Sequence, residues 1–178
     1  MKLKLLFIFM LFTVSSYAQN FNNYVTQLKV LLAATADDVK GAFVESRAED
    51  IEDHEVHKTS FKLDPFPIEN ANYIYRDQIG WFSPVKYYFS SMKVNSKAEL
   101  KQVYEKLVSL TKTADTFKTE QENAGVDNNG EFEEIGFAKF YKNNELKITI
   151  DAYEDIELKQ QYIHITVYKK NSYSKVIR

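Results

Sequence analysis

The chain has 178 residues, with 23 basic against 25 acidic side chains and no cysteine. The absence of cysteine excludes disulfide bonds, thiol catalysis and cysteine-ligated zinc or iron–sulfur sites. The near-neutral charge argues against sequence-independent binding of nucleic acid, which depends on a surplus of positive charge. The hydrophobic fraction, 44%, is typical of a globular protein with its own core. We therefore expect a globular domain with no nucleic-acid partner and no cofactor.

The first 18 residues have the parts of a secretory signal peptide. Lys2 and Lys4 give a positive start, an apolar run follows over 5–14, and Ser16 and Ala18 are small residues suited to a signal peptidase. The apolar run is shorter than the roughly 20 residues that cross a bilayer. The sequence therefore predicts cleavage after Ala18. It also predicts an exported chain, in a bacterial periplasm or the extracellular space, with no stable membrane span after cleavage.

Two helices are predicted from apolar residues spaced three and four apart. The first covers 21–40, and Gly41 is expected to end it in a left-handed conformation. The second begins at Ser96, where Glu99 three residues later completes a capping box, and it runs to about Lys112. The two apolar stripes predict helices that cover one face of a sheet; they comprise Phe21, Tyr24, Val25, Leu28, Leu31 and Leu32 in the first helix and Leu100, Val103, Tyr104, Leu107 and Leu110 in the second.

Seven strand-like segments surround the second helix. Three precede it, at 54–63, 71–79 and 85–94, and residues 44–53 are interpreted as a polar loop or frayed structure. Four follow, at 116–122, 134–142, 145–153 and 162–170, with Asn143 and Asn144 forming a two-residue hairpin turn. The order α-βββ-α-ββββ predicts a two-layer α+β fold with an antiparallel sheet. We expect a single domain over 19–178, whose halves 19–95 and 96–178 have the layout of a pseudo-repeat.

His54 and His57 form one candidate site. Imidazole and carboxylate groups together suit a divalent transition metal, and Glu52, Asp53 and Glu55 lie beside the two histidines. If the segment is extended, two residues three positions apart point to opposite faces and cannot share an ion. The alternative is a solvated polar segment that leads into a strand.

Trp81 lies in a loop-like stretch between Gly80 and Pro84. An exposed tryptophan is a candidate contact residue for a partner. The alternative is that the ring folds back and closes one end of the core.

The C-terminal hairpin is the most informative pattern. Its aliphatic residues alternate with polar and aromatic ones, which predicts a buried face beneath the helices and an outer face carrying Tyr153, Tyr162, His164 and Tyr168. Tyrosine is favoured in binding surfaces because it offers a rigid area with a polar end. The alternative is an ordinary solvated sheet face. His164 with Asp151 opposite it is also a candidate acid–base pair.

The sequence as a whole favours an exported, non-catalytic binding protein. Its partner would be a protein or a component of the cell envelope, bound through the tyrosine-bearing sheet face or the Trp81 loop. Two alternatives stay open. One is a small secreted hydrolase, and the other is a metal- or ligand-binding envelope protein that uses His54 and His57. The sequence gives no indication of oligomeric state.

Overall fold

The computed structural model describes residues 21–49, 52–76, 85–122, 125–126 and 130–169. These residues form three α-helices and nine strands. The helices are α1 (Tyr24–Ala33), α2 (Ala36–Val39) and α3 (Lys97–Ala114). The strands are β1 (Phe43–Glu49), β2 (Glu52–Lys58), β3 (Ala71–Arg76), β4 (Val85–Val94), β5 (Lys118–Glu122), β6 (Gly125–Val126), β7 (Phe132–Lys142), β8 (Glu145–Asp155) and β9 (Gln160–Tyr168). The fold is therefore α+β with two layers, as predicted. None of the described helices has the length and apolar character needed to cross a membrane.

All nine strands join one antiparallel sheet. Its order is β1-β2-β3-β4-β9-β8-β7-β5, and β6 pairs with the start of β7. The strands before α3 thus form one meander and those after it form another, and β4 and β9, the last strand of each, pair along the middle of the sheet. This layout is the one expected of the pseudo-repeat 19–95 and 96–178, and duplication of the two halves stays a prediction.

The core lies between the helices and one face of the sheet. Side chains directly opposite each other on neighbouring strands share a face, and three such rows run across β4, β9 and β8 beneath the helices. The fully buried members of these rows are Tyr88, Ser90, Ile148, Ile150, Ala152, Ile163, Ile165 and Val167. From α1 the core receives Tyr24, whose hydroxyl is 2.6 Å from the Thr111 hydroxyl of α3. The aliphatic-inward alternation predicted for the last hairpin is confirmed.

Helix α3, which is the second helix predicted from the sequence, begins where its capping signal predicts. The Ser96 hydroxyl accepts a hydrogen bond from the Glu99 amide at 3.2 Å, and the Glu99 carboxylate accepts one from the Asn95 amide at 3.1 Å. The helix extends to Ala114, slightly past the predicted end. Because the cap and the apolar stripe are both local signals, the sequence alone located this element.

The prediction of one continuous helix over 21–40 is wrong. The chain leaves helical geometry at Ala34 and starts again at Ala36, because Thr35 and Asp38 form a reciprocal capping box. Gly41 is not the left-handed stop that was expected either. Glycine is needed here because the backbone passes close to β2, and a Cβ at this position would clash with the Lys58 carbonyl oxygen.

The polar segment 44–53 was also misassigned as a loop. It supplies most of β1 and the start of β2, so four strands instead of three precede α3. The sequence of this segment shows no clear alternation of hydrophobic and polar residues, because β1 is an edge strand, where polar and charged residues are common. Val44 is an extra residue in the ladder, and the pairing register shifts there.

The remaining strand predictions differ from the structure mainly at their ends. The turn between β7 and β8 is formed by Asn143 and Asn144 with φ of 55° and 61°, which confirms the predicted hairpin. The weak segment 116–122 is confirmed as β5, and the two-residue strand β6 was not anticipated. The predicted signal peptide lies outside the described residues.

Candidate functional site

The outer face of the sheet, away from the helices, carries the candidate site. One row across β4, β9, β8 and β7 consists of Ser91, His164, Asp151 and Phe137. The next row consists of Lys93, Tyr162, Tyr153 and Glu134. The strand register thus places an imidazole, two carboxylates and two phenols side by side.

An open cleft of about 460 Å³ lies over this part of the face. Asp151, Tyr153 and His164 form its floor from β8 and β9, and Phe132 and Glu134 border it from β7. Glu122 of β5 and the short strand β6 line the remaining side. The volume falls within the roughly 300–1,000 Å³ typical of small-ligand pockets. We call these residues the outer cleft.

Four contacts between aromatic rings surround the outer cleft; three are edge to face, and the rings of Tyr153 and Tyr162 are inclined by 31°. The Tyr153 ring is central: its centroid lies 5.0 Å from that of His164, 5.3 Å from that of Phe132 and 5.7 Å from that of Tyr162. The ring of Phe89 in β4 also packs edge to face with His164, and their centroids are 5.0 Å apart. Contacts of this geometry hold each ring in place, so the wall of the cleft is preorganised.

The carboxylates of the outer cleft are held partly away from water. Burial, together with the nearby Glu134 carboxylate, raises the pKa of Asp151 to about 6. Burial also raises the pKa of Glu134, with a further contribution from Glu122 and an opposing one from Lys139. Lys139 donates a hydrogen bond to Glu122. Among the described residues, the lining of the outer cleft contains three carboxylates, those of Glu122, Glu134 and Asp151, and no lysine or arginine, so its character is acidic.

His164 and Tyr153 are both neutral at pH 7. Burial lowers the pKa of His164 to about 4, and burial raises the pKa of Tyr153 to about 12. The Tyr153 hydroxyl and His164 Nε2 lie 3.2 Å apart and are hydrogen-bonded. This bond fixes the orientation of the imidazole, which therefore acts as a polar wall rather than as a cation.

The chemistry of the outer cleft suits a positively charged group. Carboxylates attract a cation, and the faces of aromatic rings add an electrostatic attraction of about 0.5–2 kcal/mol. Asp151, whose pKa is raised to about 6, can also exchange a proton near neutral pH, which is the property of general acids and bases. The geometry thus permits binding of a cation and permits acid–base chemistry.

The structure brings together three of the five predicted contact residues. Tyr153 and His164 line the outer cleft, and Tyr162 stacks beside Tyr153. Tyr168 lies on the same face of the sheet, four residues beyond His164 along β9. Its ring contacts that of Tyr87, with centroids 5.9 Å apart, and it does not line the outer cleft. Trp81 lies outside the described residues. Tyr153, Tyr162 and Tyr168 are each half-buried.

The metal hypothesis for His54 and His57 gains no support from the described residues. His57 is buried on the helix side, between the rings of Phe43 and Tyr73, so it does not belong to a solvated segment. Its Nε2 lies 3.1 Å from a Glu55 carboxylate oxygen. The side chain of His54 lies outside the described residues. Where side chains are described, no three histidine or acidic residues are grouped closely enough to hold a metal ion.

Sequence reasoning missed Glu134, Phe132 and Glu122 as cleft residues. Glu134 was assigned to the correct strand, yet its neighbours come from pairing with β6 and β8, which no local pattern reveals. The extra residue Ile135 shifts the register of β7 by one position and keeps Glu134 on the outer face opposite Tyr153. The one signal for these cleft residues in the sequence was the two-residue spacing between Phe132 and Glu134.

Comparison with known proteins gives no functional lead. No protein-family model, no curated protein and no solved structure matches this chain.

Proposed function

We propose that this chain is an exported, non-catalytic binding protein that holds its partner at the outer cleft. The observation that supports the proposal best is the ring of preorganised aromatic side chains around a cleft of ligand size. Export is inferred from the signal-like segment 1–18, and the expected location is a bacterial periplasm or the extracellular space.

The electrostatics of the outer cleft indicate which part of a partner it would receive. Glu134 and Asp151 supply negative charge, and Tyr153 and Phe132 supply ring faces. A partner that is a protein or an envelope component would therefore present a cationic group, such as an ammonium ion, to this cleft. The neutral His164 adds no repulsion to a cation at pH 7.

A pair of simple probes tests the proposal. Tetramethylammonium should bind the mature chain weakly, and tert-butyl alcohol, which is similar in shape but uncharged, should not bind. Backbone amide shifts in NMR spectra should change in β7, β8 and β9 around Tyr153. Asp151→Asn should weaken tetramethylammonium binding about fivefold, which corresponds to about 1 kcal/mol.

Glu145→Gln is the matched control, because it also removes a carboxylate from β8 but lies outside the outer cleft. This variant should bind like the unmodified chain. Equal binding of the charged and the uncharged probe would show that the carboxylates do not favour a cation over a neutral molecule. Loss of binding in both variants would show that the probe responds to net charge alone.

A hydrolase is the second candidate, since the raised pKa of both Asp151 and Glu134 would suit a general acid–base pair. The two functions differ in turnover. The mature chain should hydrolyse none of a panel of chromogenic glycosides and esters. Turnover that disappears in Asp151→Asn would favour the hydrolase and refute the non-catalytic proposal.

A further inference from the structure

Carboxylates and aromatic rings alternate on the outer face where β7 and β8 pair. Three cross-strand pairs follow one another there, namely Phe132 with Asp155, Glu134 with Tyr153 and Phe137 with Asp151. Each pair joins one ring and one carboxylate, and the strand that supplies the ring changes from one pair to the next. Each carboxylate is therefore flanked by rings both across the strands and along its own strand. We call these six residues the alternating pairs.

The chain itself places one cation against this pattern. The Lys139 ammonium nitrogen lies 5.0 Å from the centroid of the Phe137 ring, and it donates a hydrogen bond to Glu122. A cation bound by a ring and a carboxylate together is thus already present at the border of the outer cleft. Lys139 also attracts Glu134. Among the described residues, however, neither Glu134 nor Asp151 forms an ion pair.

Glu134 and Asp151 are placed so that one cation could contact both. Tyr153 lies directly opposite Glu134, and Asp151 lies two residues before Tyr153 along β8. The two carboxylates are therefore diagonal neighbours on adjacent strands, a position in which side chains are about 7–8 Å apart. The charge of Glu134 disfavours ionisation of Asp151. A cation between the two carboxylates would relieve that repulsion.

A guanidinium group suits this spacing better than an ammonium group. It is flat, and its five N–H donors lie on edges that can each meet a separate carboxylate. Its face also stacks on aromatic rings, and it is more weakly hydrated than an ammonium group, so it loses less on entering a half-buried site. An ammonium group is a compact point charge and cannot span two separated carboxylates in the same way.

We propose that the cationic group received by the outer cleft is the guanidinium group of an arginine side chain on a partner protein. One edge of the guanidinium group lies against Asp151 and another lies against Glu134, while its face lies against the Tyr153 ring. This inference rests on the binding function proposed above and adds the chemical identity of the bound group.

Titration of the mature chain at pH 7 with blocked single amino acids tests the inference. N-acetyl-arginine methylamide should bind about fivefold more tightly than N-acetyl-lysine methylamide, because only the guanidinium group spans both carboxylates. The citrulline derivative, which has the same shape without the charge, should not bind detectably. Equal or tighter binding of the lysine derivative would overturn the guanidinium assignment. If tetramethylammonium still bound in that case, the function proposed above would stand; if no cation bound, both would fall.

Two variants test whether the guanidinium group spans the carboxylates. Asp151→Asn and Glu134→Gln each replace a half-buried charge by a neutral side chain of the same shape, so folding should be retained. Each should weaken binding of the arginine derivative about fivefold and reduce its preference over the lysine derivative to less than about twofold. Glu105→Gln is the matched control, because Glu105 is exposed on α3 in the other layer, and it should change neither value. A preference that survives in both cleft variants would refute the spanning geometry.

Discussion

Asp151 and His164 should impose opposite pH dependences on the stability of the folded chain. Burial raises the pKa of Asp151 from 3.8 to about 6 and lowers the pKa of His164 from 6.5 to about 4. In both cases the folded state disfavours the charged form. Each tenfold change in a dissociation constant corresponds to about 1.4 kcal/mol, so each residue changes the free energy of unfolding by about 3 kcal/mol at most.

The signs follow from which state binds more protons. Around pH 5 the folded chain holds a proton on Asp151 that the unfolded chain has lost, so the stability due to Asp151 decreases as pH rises from about 4 to 6. The unfolded chain holds a proton on His164 that the folded chain lacks, so the stability due to His164 increases as pH rises from about 4 to 6.5. The two contributions nearly cancel in the unmodified chain.

Replacing Asp151 and His164 one at a time separates their two contributions to stability. The stabilisation of Asp151→Asn relative to the unmodified chain should grow with pH, from about zero at pH 4 to as much as about 3 kcal/mol at pH 7. The stability of His164→Gln relative to the unmodified chain should change in the opposite direction, being most favourable at low pH. Urea denaturation followed by circular dichroism at several pH values measures both differences.

Thr166→Val is the control for this experiment, because Thr166 lies on the same face of β9 and does not titrate. Its stability difference should not depend on pH. If the differences for Asp151→Asn and His164→Gln had slopes of the same sign, or if both were flat between pH 4 and 7, the burial of these two groups on the outer face would be refuted.

Three further predictions concern the fold. Gly136→Ala should lower the free energy of unfolding by about 1–3 kcal/mol, because its Cβ would lie 2.5 Å from the Tyr104 ring. Urea denaturation should show that this loss disappears in a Tyr104→Ala background. The loss should also be absent from Gly125→Ala, whose Cβ would have no neighbour within 4 Å. Ser96→Ala should lower the free energy of unfolding by about 1 kcal/mol through loss of the α3 cap, with Ser96→Gly costing less. Asn144→Gly should raise the thermal midpoint and Asn144→Ala should lower it, because φ is 61° at this position; the reverse order would contradict the turn geometry.

The sequence predicted those parts of the fold that depend on neighbours along the chain. The cap at Ser96, the turn at Asn143 and the inward aliphatic residues of the last hairpin each arise within a few residues. The edge strand β1 was missed because its residues are polar and its pairing with β2 is what makes it a strand. The break at Thr35 was missed because a capping box inside a helical pattern competes with a continuous stripe.

The outer cleft was predicted only in part, for a related reason. Alternation identified Tyr153, Tyr162 and His164 as outward residues of neighbouring strands. The carboxylate of Glu134 reaches the same place only because the register of β7 shifts at Ile135 and β6 folds beside it. Such a meeting of residues from four strands is a property of the completed sheet. Periodicity within one strand contains no information about it.

Strand β9, the last of the described strands, lies in the middle of the sheet and so affects the order of folding. Until β9 emerges, the meander before α3 and the hairpin after it have no common partner, and α1 lacks the Lys169 ammonium group that binds its final carbonyl oxygens. The native sheet can therefore close only after β9 has been synthesised. If the chain is exported as proposed, this delay keeps it unfolded, and therefore able to pass through a translocation channel, until β9 has been made.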